Sequence, residues 1–443
     1  MYFDKLISKK YGPYIIIFAA ALTVYGLIYL FSDGFGVTAH NWWNNYSRQA
    51  YSWLQGRLDL PENRPYLETV TFEGRYYVSF PPFPSVVLLP FVAIFGYNTP
   101  DQAVALAFAL LSVLFSYKIA QTLLPDKKQA IFFSLFLVLG TNYLHISLWG
   151  SVWYLAQNMA FAFTLMAFYF ALSKSTAKYY PFLALFFMCA AMGSRPFNIV
   201  YLPVLIWLIY RRESAPRPLA FIINLLLYAI PAMVLGSFFI WLNYVRFGNI
   251  FEFGHNFLPE FLMDPYGQFH ISRVAHNMSL MFLELDITHG ILYGFPFLGQ
   301  VGFAFWLASP IVLSFVFYIG LWLKGMIRPF GSSKLPKFFR NDENKERPLN
   351  DPLVWVILAA VALHLFLFSL HRTLGGRQFG SRYAIDALPG IYLGLMLVLN
   401  RLRLGFGHIY LNAVPMAFGL LINFHGSIMF FMFYFSEIIT PWT

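Results

Sequence analysis

Apolar runs of about twenty residues, separated by polar segments, recur along the whole chain. A helix of that length matches the hydrocarbon thickness of a bilayer, so the pattern predicts an all-α polytopic membrane protein. The expected spans are 12–31, 100–123, 129–147, 152–173, 179–194, 196–210, 218–242, 299–323, 352–371, 385–400 and 408–435. That is about 11 transmembrane helices in one transmembrane domain covering 1–443. The run PPFPSVVLLPFVAIFG (81–96) is set apart because four prolines crowd its start and middle. It is expected to be an embedded or juxtamembrane helix beside the spans.

Composition agrees with the pattern. Hydrophobic residues make up 59% of the chain and charged residues only 11%, against about 25% charged in soluble domains. Lys5, Lys9 and Lys10 precede the first run, which predicts a cytoplasmic N-terminus and, after eleven crossings, an extracytoplasmic C-terminus. No small-residue cleavage site follows that run, so it reads as a retained span. The expected location is the plasma (inner) membrane of a bacterial cell. The single cysteine, Cys189, lies in an apolar run and reads as a small packing residue.

The net charge of +10 does not point to nucleic acid once its distribution is seen. On the expected topology all twelve lysines fall inside. The ten outer cations are all arginines: Arg48, Arg57, Arg64, Arg75, Arg195, Arg246, Arg273, Arg372, Arg377 and Arg382. The inner excess is the ordinary positive-inside signal. Arginine's planar, permanently charged fork suits phosphate oxygens better than lysine does, which makes the outer set the informative one.

Three polar segments exceed ordinary connections. The first extracytoplasmic loop with its juxtamembrane helices (32–98) and a second outer segment (243–298), expected as a lid, are rich in aromatics, carboxylates, His and Asn. The third, 324–351, reads as a cytoplasmic basic linker. Function is expected in the outer two. Within the first, 39–55 predicts an interfacial helix. Acids available there as general bases include Asp33, where the first span ends, Asp59, Glu62, Glu68 and Glu73. The turn MGSRPFN places Arg195 between two apolar helices, where a charge is costly and faces protein or a polar cavity. GGRQFGSRYAIDALP (375–389) adds Arg377, Gln378, Arg382, Tyr383 and Asp386. Arg382 and Asp386 are four residues apart, so a helix starting near Ser381 would pair them. Arg246 and His255 are the candidates in the lid. No cluster has metal-ligand spacing, so no protein-built metal site is expected and a divalent metal is not indicated.

The layout resembles the C-type (GT-C) membrane glycosyltransferases, which include the protein O-mannosyltransferases and the aminoarabinose transferase of lipid A. YSWLQGRLDLPE followed by GRYYVSFPPFPSVVLLPFVAIFG is similar to that superfamily's helix ending in Gly, short loop and Pro-Pro-led helix. MGSRPFN is similar to its basic turn before the sixth span, and SRYAIDALP to its Arg-Tyr…Pro start of a late span. Two positions depart from the pattern. The usual early Asp-Glu pair is replaced by HNWWNNY, with His40 and Asn41, and Phe80 stands where a basic residue often precedes Pro-Pro.

The resemblance implies transfer of a sugar from a polyprenyl-phosphate donor to a glycan, lipid or protein acceptor, with inversion and no required cofactor. It implies Asp59 or Asp33 as base, with preference for Asp59 because RLDL is part of the likeness. Arg195, Arg377 and Arg382 would bind the phosphate, with His40, Asn41, Glu68, Arg246, His255, Gln378, Tyr383 and Asp386 around the substrate. Two other readings stay open: a flippase or transporter of lipid-linked sugars, and a ligase using a polyprenyl-pyrophosphate glycan. Charges gathered at one face favour chemistry at an interface over translocation.

Overall fold

The computed structural model describes residues 2–32, 36–213, 217–285, 302–327, 350–375, 378–402, 404 and 407–431. Asp33 and Arg377 lie outside the described residues, as do most of the basic linker and the end of the lid segment.

The protein is a helical membrane protein with almost no sheet. Seven helices are long and apolar enough to cross a bilayer: α1 (Gly12–Phe31), α4 (Asp101–Leu123), α6 (Val152–Leu172), α10 (Ile230–Phe247), α13 (Pro352–Ser369), Tyr383–Leu402 and α15 (His408–Met429). Four shorter apolar helices accompany them: α3 (Phe83–Phe95), α7 (Tyr180–Ser194), α9 (Pro218–Tyr228) and α12 (Ile311–Ile327). The segment after α1 forms α2 (Asn45–Leu54), inside the expected 39–55, with the Asn44 side chain accepting from Tyr46 N at its start. Also present are α5 (Lys127–Leu139), α8 (Leu202–Arg212), α11 (Val274–Leu283) and α14 (Leu388–Leu402), the last being the α-helical part of Tyr383–Leu402.

Several expected spans are broken, and each break has a local cause. The run 218–242 divides at Ala229 into α9 and α10, because Pro231 has no N–H to give the Leu227 carbonyl. The run 129–147 ends as α5 at Gly140, and a single turn, Tyr143–Ile146, follows. The run beginning at Pro196 starts as a 3-10 turn, Pro196–Tyr201, before α8.

Helix Tyr383–Leu402 is the centre, buried over 94% of its apolar window, whereas α1 and α10 are buried over 22% of theirs and face outward. Around the centre, α6 packs on α7, α4 and α8, and α14 packs on α12 and α13. A buried helix that is apolar all round is what this position requires.

The segment between α1 and α3 contains an antiparallel hairpin, β1 (Thr69–Phe72) and β2 (Arg75–Val78), pairing Thr69 with Val78 and Phe72 with Arg75. Its two-residue turn, Glu73-Gly74, has positive φ at both positions, as a type I′ hairpin turn demands. Val70, Tyr77 and Phe247 close the space between hairpin and α10. The lid segment folds back on the end of α13: His270 N donates to Leu370 O, Arg372 N donates to Gln268 O, and Asp264 takes Arg273 and Arg372.

Candidate active site

Arg195 leaves α7 with extended backbone (φ −144°, ψ 100°) because Pro196 disfavours helix at the residue before it. Its side chain turns inward. Nε donates to Asp386 Oδ2 at 2.8 Å, and the guanidinium lies 5.0 Å from the Tyr383 ring. Arg382 approaches the same ring to 5.3 Å from another segment. Its backbone N–H donates to Gln378 Oε1, its carbonyl accepts from Gln157 Nε2, and its Nη2 donates to Gly375 O at 3.0 Å. Gly375 has φ +104°, and a Cβ there would come within 2.8 Å of the Arg382 Nε and Nη2 atoms. Only glycine gives both that backbone and that space.

A guanidinium carries five N–H groups. Arg195 and Arg382 each give one side-chain hydrogen bond to the protein, and Arg195 Nη2 and Arg382 Nε are buried without a partner. Buried donors left unmade are costly unless a ligand completes them. The two cations face one cavity of about 440 Å³.

Glu68 lines the same cavity from the hairpin side. It closes the 3-10 turn Pro65–Leu67 in the left-handed region (φ 56°, ψ 41°), its carbonyl accepting from Ser79 Oγ just past β2. A non-glycine residue held there is strained, and such strain collects at functional sites. Glu68 Oε1 accepts from Trp153 Nε1 at 2.7 Å. Burial pushes its carboxyl from an ordinary 4.5 up to about 7, against the opposing effects of Trp153 and Arg382, and Glu260 adds to the rise. A carboxylate poised near 7 is suited to taking a proton at neutral pH.

His255 follows Gly254, whose N–H is held by Glu252, and its Nδ1 donates to Ser79 O at 3.1 Å. That bond fixes the tautomer and leaves Nε2 as an acceptor. Burial pushes the imidazole down to about 4, so it stays neutral. Glu260, Asn256, Gln268 and His371 add to the polar lining, as do Tyr46, Ser194 and Thr373.

The structure brings together Arg195, Arg382, Tyr383, Glu68 and His255 from the sequence candidates, and seats Asp386 and Gln378 directly behind the arginines. The others lie elsewhere. Asp59 pairs with Arg57 at 2.8 Å at the surface and is not among the cavity-lining residues. That pairing holds its carboxyl below the usual range. His40 and Asn41 serve the start of α4: His40 Nδ1 lies 2.8 Å from Asp101 Oδ2, and Asn41 N donates to the same oxygen. Arg246 is buried behind the hairpin, donating to Asn243 Oδ1 and Leu242 O. The pairing expected between Arg382 and Asp386 is replaced by Arg195 with Asp386, because Tyr383–Ala387 is a 3-10 turn and sends the two side chains apart.

Comparison with known proteins adds the following. No family model and no curated protein matches the chain. Among solved structures it is similar to ArnT from Cupriavidus metallidurans bound to undecaprenyl phosphate, at 14% identity and TM-score 0.45, over 89% of this chain and 61% of that one. For ArnT in the apo state the figures are 14%, 0.43, 88% and 60%. For the apo oligosaccharyltransferase of Archaeoglobus fulgidus they are 13%, 0.46, 97% and 56%. The chain thus spans less than two thirds of the length of each.

Sequence reasoning missed Trp153, Gln157, Glu260 and His371. Gln157 had a visible signal, a polar residue inside the apolar run SVWYLAQNMAF. The other three come to the cavity only through tertiary contacts. Among the described residues no three His, Cys, Asp or Glu side chains form a metal-holding group.

Proposed function

We propose that the protein is a membrane glycosyltransferase that moves a sugar from a polyprenyl-phosphate donor to an acceptor hydroxyl at the extracytoplasmic face. One observation carries this reading. A partly buried carboxylate raised to about 7 and two arginines with uncommitted N–H groups face the same cavity.

In this mechanism Glu68, not Asp59, is the base. Its carboxylate takes the proton of the acceptor hydroxyl, whose oxygen attacks the anomeric carbon. The bond from that carbon to the phosphate oxygen breaks, and its electron pair leaves with the polyprenyl phosphate. Attack opposite the leaving group inverts the anomeric centre. The phosphate gains one negative charge, which Arg195 and Arg382 meet with preformed donors. Each such donor contributes roughly 10²–10³ in rate, and the base roughly 10²–10⁴. Asp386 and Tyr383 hold the two cations in place.

The test is transfer from a synthetic polyprenyl-phosphate hexose in detergent micelles, where no second leaflet exists. A new glycosidic bond, lost in Glu68→Gln, is the expected result. A transporter would make no new bond in micelles. Transfer that survives in Glu68→Gln would remove Glu68 from the role.

A further inference from the structure

Three residues lining the cavity carry a buried polar atom that finds no partner among the described residues: Tyr46 Oη, Arg195 Nη2 and Arg382 Nε. All three can donate. The two arginines already have a task at the donor phosphate, and the Tyr46 hydroxyl has none. Tyr46 is fully buried and packs against Phe80, with ring centroids 6.3 Å apart. It stands in the first turn of α2, where its own N–H donates to Asn44 Oδ1 at 2.8 Å. Asn45 Nδ2 donates to Leu67 O at 2.8 Å, one residue before Glu68. Trp43 O accepts from Val152 N at 2.9 Å, one residue before Trp153. These ties fix the start of α2 between the turn that carries Glu68 and the start of α6.

A buried hydroxyl without a partner costs stability unless a ligand completes it. Burial pushes the Tyr46 phenol up, so it keeps its proton; of the two charges acting on it, Arg195 has the larger effect and Glu68 the smaller. The hydroxyl thus stands chiefly in the field of a cation that meets the phosphate. Glu68 takes its hydrogen bond from Trp153 instead. A hydroxyl that stays protonated, beside guanidiniums with open N–H groups, offers a third donor to an anion with several acceptor oxygens. Resting on the glycosyl-transfer reading, we propose that Tyr46 is a further catalytic residue, whose O–H donates to a phosphate oxygen of the polyprenyl-phosphate donor. The bond strengthens as charge builds on the departing phosphate, and the phenol keeps its proton throughout.

The experiment compares the full chain with Tyr46→Phe in detergent, a change that removes one oxygen and keeps the ring. Binding of two probes is measured, polyprenyl phosphate and the uncharged polyprenol of the same length. Transfer from a polyprenyl-phosphate hexose is followed in parallel, with a cell-envelope extract as acceptor. Tyr46→Phe should weaken polyprenyl phosphate binding by about tenfold and leave polyprenol binding unchanged. Donor kcat/KM should fall by about 100-fold. The Tm should stay equal or rise, because a buried hydroxyl without a partner has been removed. Unchanged affinity for polyprenyl phosphate overturns the proposal, as does an equal loss for both probes. A lowered Tm overturns it too, since the hydroxyl would then serve the fold. A wild type that binds polyprenyl phosphate but forms no glycosidic bond overturns the glycosyltransferase reading instead, and the two affinities still decide the Tyr46 contact.

Discussion

Arg195 Nε donates to Asp386 Oδ2 across 2.8 Å, joining residues 191 positions apart in sequence and tying the end of α7 to the start of the central helix. Gln157 Nε2 supplies a second bond to Asp386 Oδ1 at 2.7 Å, and Tyr201 donates to the Asp386 carbonyl. Breaking a buried pair from one side leaves the other charge stranded, at a cost of about 3–5 kcal/mol. Asp386→Ala should therefore lower thermal stability in detergent by about that amount. Asp386→Asn keeps the shape and should instead weaken donor use, raising its KM by roughly tenfold. An unchanged donor KM in the Asn variant would show that Arg195 needs no orienting partner.

Glu68→Gln separates activity from stability. Transfer should fall by about 10³. Because the folded-state pKa of about 7 lies above the ordinary 4.5, folding binds a proton between those values. Wild-type stability is therefore highest below 4.5 and declines as pH rises through 7. The Gln variant escapes that decline. Above pH 7 it should be more stable than the wild type by up to about 3 kcal/mol. Thermal unfolding of both proteins at pH 5 and pH 8 checks it, and equal curves at pH 8 would contradict the burial of this carboxylate.

In the proposed mechanism the ionised form of Glu68 is the active one, so kcat/KM should rise with pH through about 7. Trp153 favours the ionised form by its hydrogen bond. Trp153→Phe removes that bond and should move the rising limb to higher pH by about one unit, the equivalent of one charge-assisted hydrogen bond. A limb that stays in place would assign the profile to another group.

Gly375→Ala places a methyl group against the Arg382 guanidinium on a backbone with φ +104°. Arg382 should be displaced from Tyr383, and donor KM should rise by about tenfold, with a smaller change in kcat. Restoring normal kinetics would require that the cation not touch the donor.

Asp59→Asn is the contrasting variant. Asp59 pairs with Arg57, whose side chain is 51% exposed. Its replacement should change transfer by no more than about twofold, as at other surface positions. A loss comparable with that of Glu68→Gln would restore Asp59 as the base.

The helical framework was legible because a bilayer sets the length of its apolar runs, and the outer arginines were legible because charge at membrane depth is rare. What stayed hidden has identifiable causes. The hairpin has only four residues per strand and turns on Glu73-Gly74 instead of the commoner Asn-Gly. Glu68 stood among five outer-loop acids that composition cannot rank. Its hydrogen-bond partner, Trp153, stands 85 residues later. Helix geometry suggested Asp386 as the partner of Arg382, but a 3-10 start changed the angle between them. The expected number of crossings rested on run length alone. It could not show that Pro231 divides one run, or that Gly140 and Pro196 leave others as unequal pieces.

The cavity draws its chemistry from Glu68, Arg195, His255 and Arg382, on four segments spread along the chain. During synthesis Glu68 leaves the ribosome long before Arg382 does. Until the segment around residue 386 is in place, Arg195 lacks its Asp386 counter-charge. On the proposed reaction, a membrane-inserted nascent chain stalled before that segment would hold only part of the cavity's charged lining.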